Sequence, residues 1–363
     1  NKKEYETNKD DETVINTKEN GKLALENITI KKKGNTSNLR NSDSQGLNSA
    51  IRAEKDGCIE ATKANILTKG KGSSAVVAYG KKAKININES EITTEGERSR
   101  GILATGGANI EAKNVKVTTN GYKSSGVATD TGSGNIKIHD SEIITNGKDS
   151  PGIYSTGIVI ARNIKVKTNN SEAIVIDGYN LADFTNSKLE SSKKRGALLI
   201  YTGPPAKQKI KGMLKMRNST FSVNEGPAFY VTNTDGDIYL ENVNLSIYDN
   251  KLLEVGVDKY RELGQEHPVE NPRGGDVTLT AKNQQLLGEI EADSQSTVKV
   301  KLENSTYTGK INVQNMAKKI VVELDKDSIW NLTGDTYITE LNASEEAKIN
   351  NNGYTIHYID KEN

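Results

Sequence analysis

The chain has 363 residues, 34% of them hydrophobic and 27% charged. Ordinary globular domains run at about 45–50% apolar, Gly included, so a thick single core is disfavoured, while 32 Gly with only 6 Pro argue against simple disorder. Forty-nine Lys and Arg offset 48 Asp and Glu, a formal charge of +1, which leaves no global field to recruit nucleic acid or anionic lipid.

Residues 1–20, NKKEYETNKDDETVINTKEN, hold almost no apolar side chains and read as a flexible polar leader. The start at Asn-Lys-Lys, without Met, fits a mature form that has lost a signal peptide. GNTSNLRNSDSQGLNS (34–49) reads as a loop excursion. Cys58 is the one cysteine, so no intrachain disulfide is available. Its DGCIEA context suits a small buried thiol. No apolar run approaches the ~18 residues of a membrane helix.

From residue 64 the chain repeats itself. ANILTKGKGSSAVVAYG, SEITTEGERSRGILATG, VKVTTNGYKSSGVATDTG, SEIITNGKDSPGIYSTG and IKVKTNNSEAIVIDG align. One apolar column holds Ile66, Ile92, Val117, Ile143 and Val166; a second holds Val76, Ile102, Val127, Ile153 and Ile174. Each coil also opens with an apolar-x-apolar triplet: Ile85-x-Ile87, Ile110-x-Ala112, Ile136-x-Ile138 and Ile158-x-Ile160. Period-two alternation in short β-branched runs means strands, and Gly, Asn, Asp or Ser punctuates each run. Three strands and three turns in about 21–26 residues make one rung of a parallel β-helix.

Thr68, Thr94, Thr119, Thr145 and Thr168 form a further column, two places after the first apolar one. Stacked β-branched residues with hydroxyls near a turn are read as structural. A bare Thr-x-Thr face could bind ice, but the intervening Leu67, Thr93, Thr118, Ile144 and Lys167 break that regularity.

The pattern continues less regularly to about Lys348, giving roughly a dozen coils and, at ~4.8 Å per coil, a cylinder on the order of 60 Å long. The reading is all-β: a single-stranded right-handed parallel β-helix over residues 21–348, then a closing strand and tail over 349–363. Two later insertions interrupt it, TGPPAKQKIKG (202–212) and VDKYRELGQEHPVENPRGG (257–275). Loops that leave a rigid scaffold are where binding surfaces usually sit.

Near them Tyr179, Tyr201, Tyr230, Tyr239, Tyr248 and Tyr260 gather in a chain with 5% aromatics. Tyrosines stack on sugar rings and nearby carboxylates accept hydroxyl hydrogen bonds. The candidate ligand site is therefore Tyr201 and Tyr230 with Asp235 and Asp237. Packing of these tyrosines at corners or under the insertions is the alternative. NTDG at 233–236 is similar to one signature of polygalacturonase-like glycosidases, which need further aspartates one coil on. There this chain offers Asp249 and Glu254, and the Gly-His-Gly and Arg-Ile-Lys elements are missing. His139, His267 and His357 stand in unrelated contexts, so no metal and no cofactor is expected.

Trp330, the one tryptophan, lies in LDKDSIWNLTGDTYITEL (324–341). A solenoid end must be covered, and an indole there suits core sealing, with ligand stacking as the alternative. The pattern Ser328-x-Trp330-x-Leu332-Thr333-Gly334-Asp335-Thr336-x-Ile338-x-x-Leu341 resembles the terminal coils of autotransporter-like and adhesin-like bacterial surface proteins, which are right-handed parallel β-helices of the pectate-lyase-like kind. The resemblance implies export, display at a cell surface and commonly adhesion. No membrane-barrel segment of alternating ~10-residue strands follows, which favours a lipid-anchored, wall-associated or excised passenger. Three functional readings follow. The first is a non-catalytic extracellular adhesin binding glycans or host or matrix proteins. The others are a carbohydrate-active enzyme, lyase or hydrolase, acting on an acidic polysaccharide, and a passive stalk.

Overall fold

The computed structural model describes residues 2–259 and 271–359. The chain is all-β, a right-handed parallel β-solenoid whose strand pairings run parallel. It divides into two compact units, residues 1–175 with 181–194 and residues 176–180 with 195–363.

In the first unit the repeat becomes a ladder. Ile30, Ile66, Ile92, Val117, Ile143, Val166 and Leu189 pair in register from coil to coil and are buried. Ile51, Val76, Ile102, Val127 and Ile153 form a second buried column. The third column reads Ile85, Ile110, Ile136 and then Val159, not Ile158. Ile158 is 41% exposed, so the triplet Ile158-x-Ile160 faces outward and Val159 and Ala161 take the core positions. This coil is shorter than those before it, and a shift of one residue turns every strand side chain to the other face.

The Thr column is wholly buried. Each hydroxyl donates across its own turn: Thr68 to the Ser73 carbonyl (2.6 Å), Thr94 to Ser99 (2.7 Å), Thr119 to Ser124 (2.6 Å), Thr145 to Ser150 (2.6 Å) and Thr168 to Ser171 (2.7 Å). The serines then link coils. The backbone N–H groups of Ser73, Ser99 and Ser124 donate to the hydroxyls of Ser99, Ser124 and Ser150, all at 2.9 Å. Between Thr and Ser the backbone turns stack so closely that only glycine fits. A Cβ on Gly121 would lie 1.8 Å from the Gly96 carbonyl oxygen, and one on Gly96 would lie 1.9 Å from that of Gly70.

Three expectations for this unit need correction. The leader is not a tether: Lys3–Thr7 pairs with Ile28–Lys32, and Ile15–Thr17 pairs with Ile51–Ala53. Composition misled because these strands pair through their backbones while their side chains stay largely exposed. The 34–49 excursion contains a helix, Leu39–Gln45, capped by the Asn38 side chain on the Asn41 N–H and by Gly46 in the left-handed region. Asp43 on that helix is ion-paired to both Arg98 and Arg100, and Gly46 sits against Val77. Cys58 is half-buried, not a core thiol, because it occupies an outward position in register with Lys22 and Lys84.

The second unit repeats the scheme with a column of Leu214, Ile238, Leu279, Val300, Val322 and Leu341. Trp330 lies in another column, between Tyr307 and Ile349, and is fully buried. Its Nε1 donates to the Gly309 carbonyl at 3.1 Å, and its ring stacks on Tyr307 with centroids 6.1 Å apart and planes 22° apart. The Tyr307 hydroxyl donates to the Gly288 carbonyl at 2.9 Å. Both aromatic rings thus fill core while their polar ends reach backbone oxygens, as buried Tyr and Trp require.

Two stability predictions follow from these contacts. Gly121→Ala destabilises by on the order of 3 kcal/mol, because a backbone oxygen cannot move aside, and Thr119→Val by about 1–2 kcal/mol, through an orphaned buried carbonyl. Trp330→Ala costs about 3–5 kcal/mol, whereas Trp330→Phe retains much of the stack. Urea unfolding of the variants checks both, and a Gly121→Ala protein as stable as the parent would contradict the stacked turn.

Candidate functional site

The four residues singled out from the sequence lie in the second unit, and the structure gives them separate tasks. Tyr230 is 1% exposed, with the Arg195 guanidinium 5.2 Å from its ring centroid, and burial pushes its hydroxyl pKa well up. It cannot stack on a sugar. Tyr201 is half-buried, and its hydroxyl donates to the Pro204 carbonyl at 2.6 Å, pinning the start of the first insertion. Thr202 next to it donates from its N–H and its hydroxyl to Asp177, at 2.9 and 2.5 Å.

Asp235 is 2% exposed and accepts from Arg273 Nη1 at 2.9 Å and from the Asp276 N–H at 3.0 Å, with Lys209 Nζ 3.8 Å away. Lys209 also meets Asp276 at 3.0 Å. The pairing with Asp276 raises the lysine pKa. Burial would raise Asp276, but hydrogen bonds from Thr297 and Lys209 hold it below the usual carboxylate value. This four-residue clamp ties the ends of both insertions to the coils, with Asp235 as its buried anchor. Asp237 stands apart, paired with Lys211 at 3.2 Å.

Of the other tyrosines, Tyr239 donates to Glu241 at 3.0 Å beneath Arg217, whereas Tyr179 and Tyr248 are 64% and 84% exposed. Tyr260 and His267 lie outside the described residues. Asn233 and Asp235 are thus bonded to Tyr201, Arg273 and Asp276, and no shared sugar-stacking face is built from Tyr201 and the buried Tyr230.

Two concave features were not anticipated. In the second unit a groove of about 430 Å³ runs over Tyr230, Glu254 and Glu291, with Leu253, Val313 and Met316 on its apolar side. Tyr230, Glu254 and Glu291 are register neighbours on successive coils. Glu254 is ion-paired with Lys259, and Glu291 accepts the Val313 N–H at 3.0 Å. Burial, then the neighbouring Glu289 and Glu254, raise the Glu291 carboxyl above its ordinary value, the Val313 and Lys310 interactions opposing them.

In the first unit a larger trench, about 1010 Å³, crosses six coils. Each coil bends there at one residue in the left-handed region: Asn27, Lys63, Glu89, Asn114, Asp140 and Asn163, with φ between 46° and 54°. The residue after the bend forms the floor, where Ala64, Ser90, Val115 and Ser141 are small and buried. The Ala64 and Val115 N–H groups donate to the Ser90 and Ser141 hydroxyls of the next coil at 3.0 and 3.1 Å. Asn65, Glu91, Lys116, Glu142 and Lys165, in register, form the second rail. Asn163 Nδ2 donates to Asp140 Oδ1 at 2.7 Å, which, with His139 and Lys113 nearby, holds that carboxyl below its usual pKa. The sequence signal was the recurrent three-residue bend NES, KNV, HDS, RNI, which the apolar columns overshadowed.

Residues 49–208 match the family model described as the right handed beta helix region. The match spans five of the six coils that build the trench. No curated protein and no solved structure matches the chain. Among the described residues no helix is long and apolar enough to cross a membrane, and no three His, Cys, Asp or Glu side chains stand together as metal ligands.

Asp235→Asn removes one charge from a buried, hydrogen-bonded cluster, which costs on the order of 3 kcal/mol. Limited proteolysis should then cut within 202–210 faster than in the parent. Unchanged cleavage there would show that the clamp does not hold the insertion.

Proposed function

We propose that this protein is a non-catalytic glycan-binding protein of the adhesin type, displayed at a bacterial cell surface. The observation that carries the reading is the six-coil trench, too long and open for a small metabolite and suited to a polymer laid along the coil axis. Its walls are amides, hydroxyls and single charges, groups that exchange hydrogen bonds with sugar hydroxyls. A rigid floor presents them without ordering cost, and repetition compensates for weak single contacts.

A second reading has one observation in its favour. Glu254 and Glu291 are register neighbours on adjacent coils, and retaining glycoside hydrolases use two neighbouring carboxyl groups. Glu291, raised by burial, would serve as the acid, and Glu254, beside Lys259, as the nucleophile.

One experiment separates the readings. The purified protein is incubated with neutral and acidic polysaccharides, and bound polymer and released fragments are measured by mass. Retention of intact polymer is the expected result. Fragments with new reducing ends, lost in Glu254→Gln and Glu291→Gln, would replace the adhesin reading by the hydrolase.

A further inference from the structure

The trench of the first unit has a chemical period as well as a structural one. Taken coil by coil, its rails carry Lys63 and Asn65, then Glu89 and Glu91, then Asn114 and Lys116, then Asp140 and Glu142, then Asn163 and Lys165. The sign alternates over these five coils: one positive charge, two negative, one positive, two negative, one positive; the sixth coil lines the trench with the neutral Asn27. The floor alternates in step, Ala64, Ser90, Val115, Ser141. With Lys2 included, four cationic and four anionic side chains line the trench. Among the described residues Lys63, Glu89, Glu91, Lys116, Glu142 and Lys165 form no ion pair with one another or with other side chains, and all but the half-buried Glu142 are exposed. These charges therefore face solvent or a ligand.

The repeat of this pattern is two coils, about 9.6 Å at ~4.8 Å per coil. An extended linear glycan advances by a similar distance per disaccharide, so a polymer lying along the trench meets like subsites every second sugar. A polymer charged on each sugar with one sign would face repulsion at alternate coils, whichever sign it carries. A polymer that alternates in charge would not.

Resting on the glycan reading above, we infer that the trench binds a linear polysaccharide whose repeat alternates a free amino sugar with a uronic acid. Its ammonium groups lie over Glu89 with Glu91 and over Asp140 with Glu142. Its carboxylates lie over Lys63, Lys116 and Lys165. Each contact is solvent-exposed, so each is weak and salt-screened; affinity comes from several subsites engaged together. A uniformly acidic polysaccharide would set anionic sugars over both acidic coils.

The test uses the intact chain over four immobilised polymers at fixed ionic strength: N-deacetylated heparosan, its N-acetylated parent, chitosan and polygalacturonate. N-deacetylated heparosan should bind at least about tenfold more tightly than the parent, a difference of ~1.4 kcal/mol. The preference should disappear in Glu89→Gln/Glu142→Gln and survive in Glu111→Gln, an exposed residue of the strand Ala108–Lys113 outside the trench. Equal binding of the acetylated parent, or tighter binding of either uniformly charged polymer, overturns the alternating scheme while leaving a glycan-binding protein. If none of these and none of the neutral polysaccharides is retained, the glycan reading falls with it. Loss of binding in the double variant counts only if its thermal unfolding matches the parent, and Lys116→Gln, which should weaken both carboxylate-bearing heparosan polymers and not chitosan, provides the second check.

Discussion

The constraint on which this structure depends is the backbone contact between successive turns. Where Gly121 lies against the Gly96 carbonyl, and Gly96 against that of Gly70, there is no room for even a methyl group. The coils are therefore held at the spacing set by their parallel hydrogen bonds, with the Ser99, Ser124 and Ser150 hydroxyls tying each turn to the one before. A thin core suffices because each coil needs only its neighbours to bury its few Ile and Val side chains. That is how a chain with 34% hydrophobic residues folds at this length.

Fixed spacing also turns sequence into surface pattern. A residue type repeated at one position of each coil becomes a straight row, and a residue type that alternates becomes an alternating row. Inside the coils this yields the buried Thr column, whose hydroxyls face turn carbonyls. Outside, at the left-handed bend, it yields the charge ladder of the trench. Lys63 and Glu89 hold a backbone conformation that Asn adopts more readily at 114 and 163.

The sequence was most legible where side chains are buried. The columns through Ile66 and Val76 emerge in register as read, because period-two alternation reports which face is inside. It was least legible where the backbone does the work or where burial comes from a distant segment. Lys3–Thr7 pairs with almost no apolar content, and the inward switch from Ile158 to Val159 depends on turn length, not on hydrophobicity. Tyr230 looked like a ligand platform because nothing local announces that Arg195 covers it. Asp235 looked like an acceptor for sugar hydroxyls because its partners, Lys209 and Arg273, arrive from two separate insertions. The trench escaped notice because its residues are individually unremarkable polar ones; only stacking gives them meaning.

Everything said of the trench presumes an in-register stack with a constant rise. The most direct measurement is a pulsed electron spin distance between nitroxides on Asn65→Cys and Lys165→Cys, in a Cys58→Ser background. These two positions lie in one outward column four coils apart. The account predicts a narrow distribution centred near ~19 Å, four times the ~4.8 Å strand spacing, widened only by the label linkers. A broad distribution, or a centre displaced by one coil or more, would contradict the register and with it the alternating charge ladder.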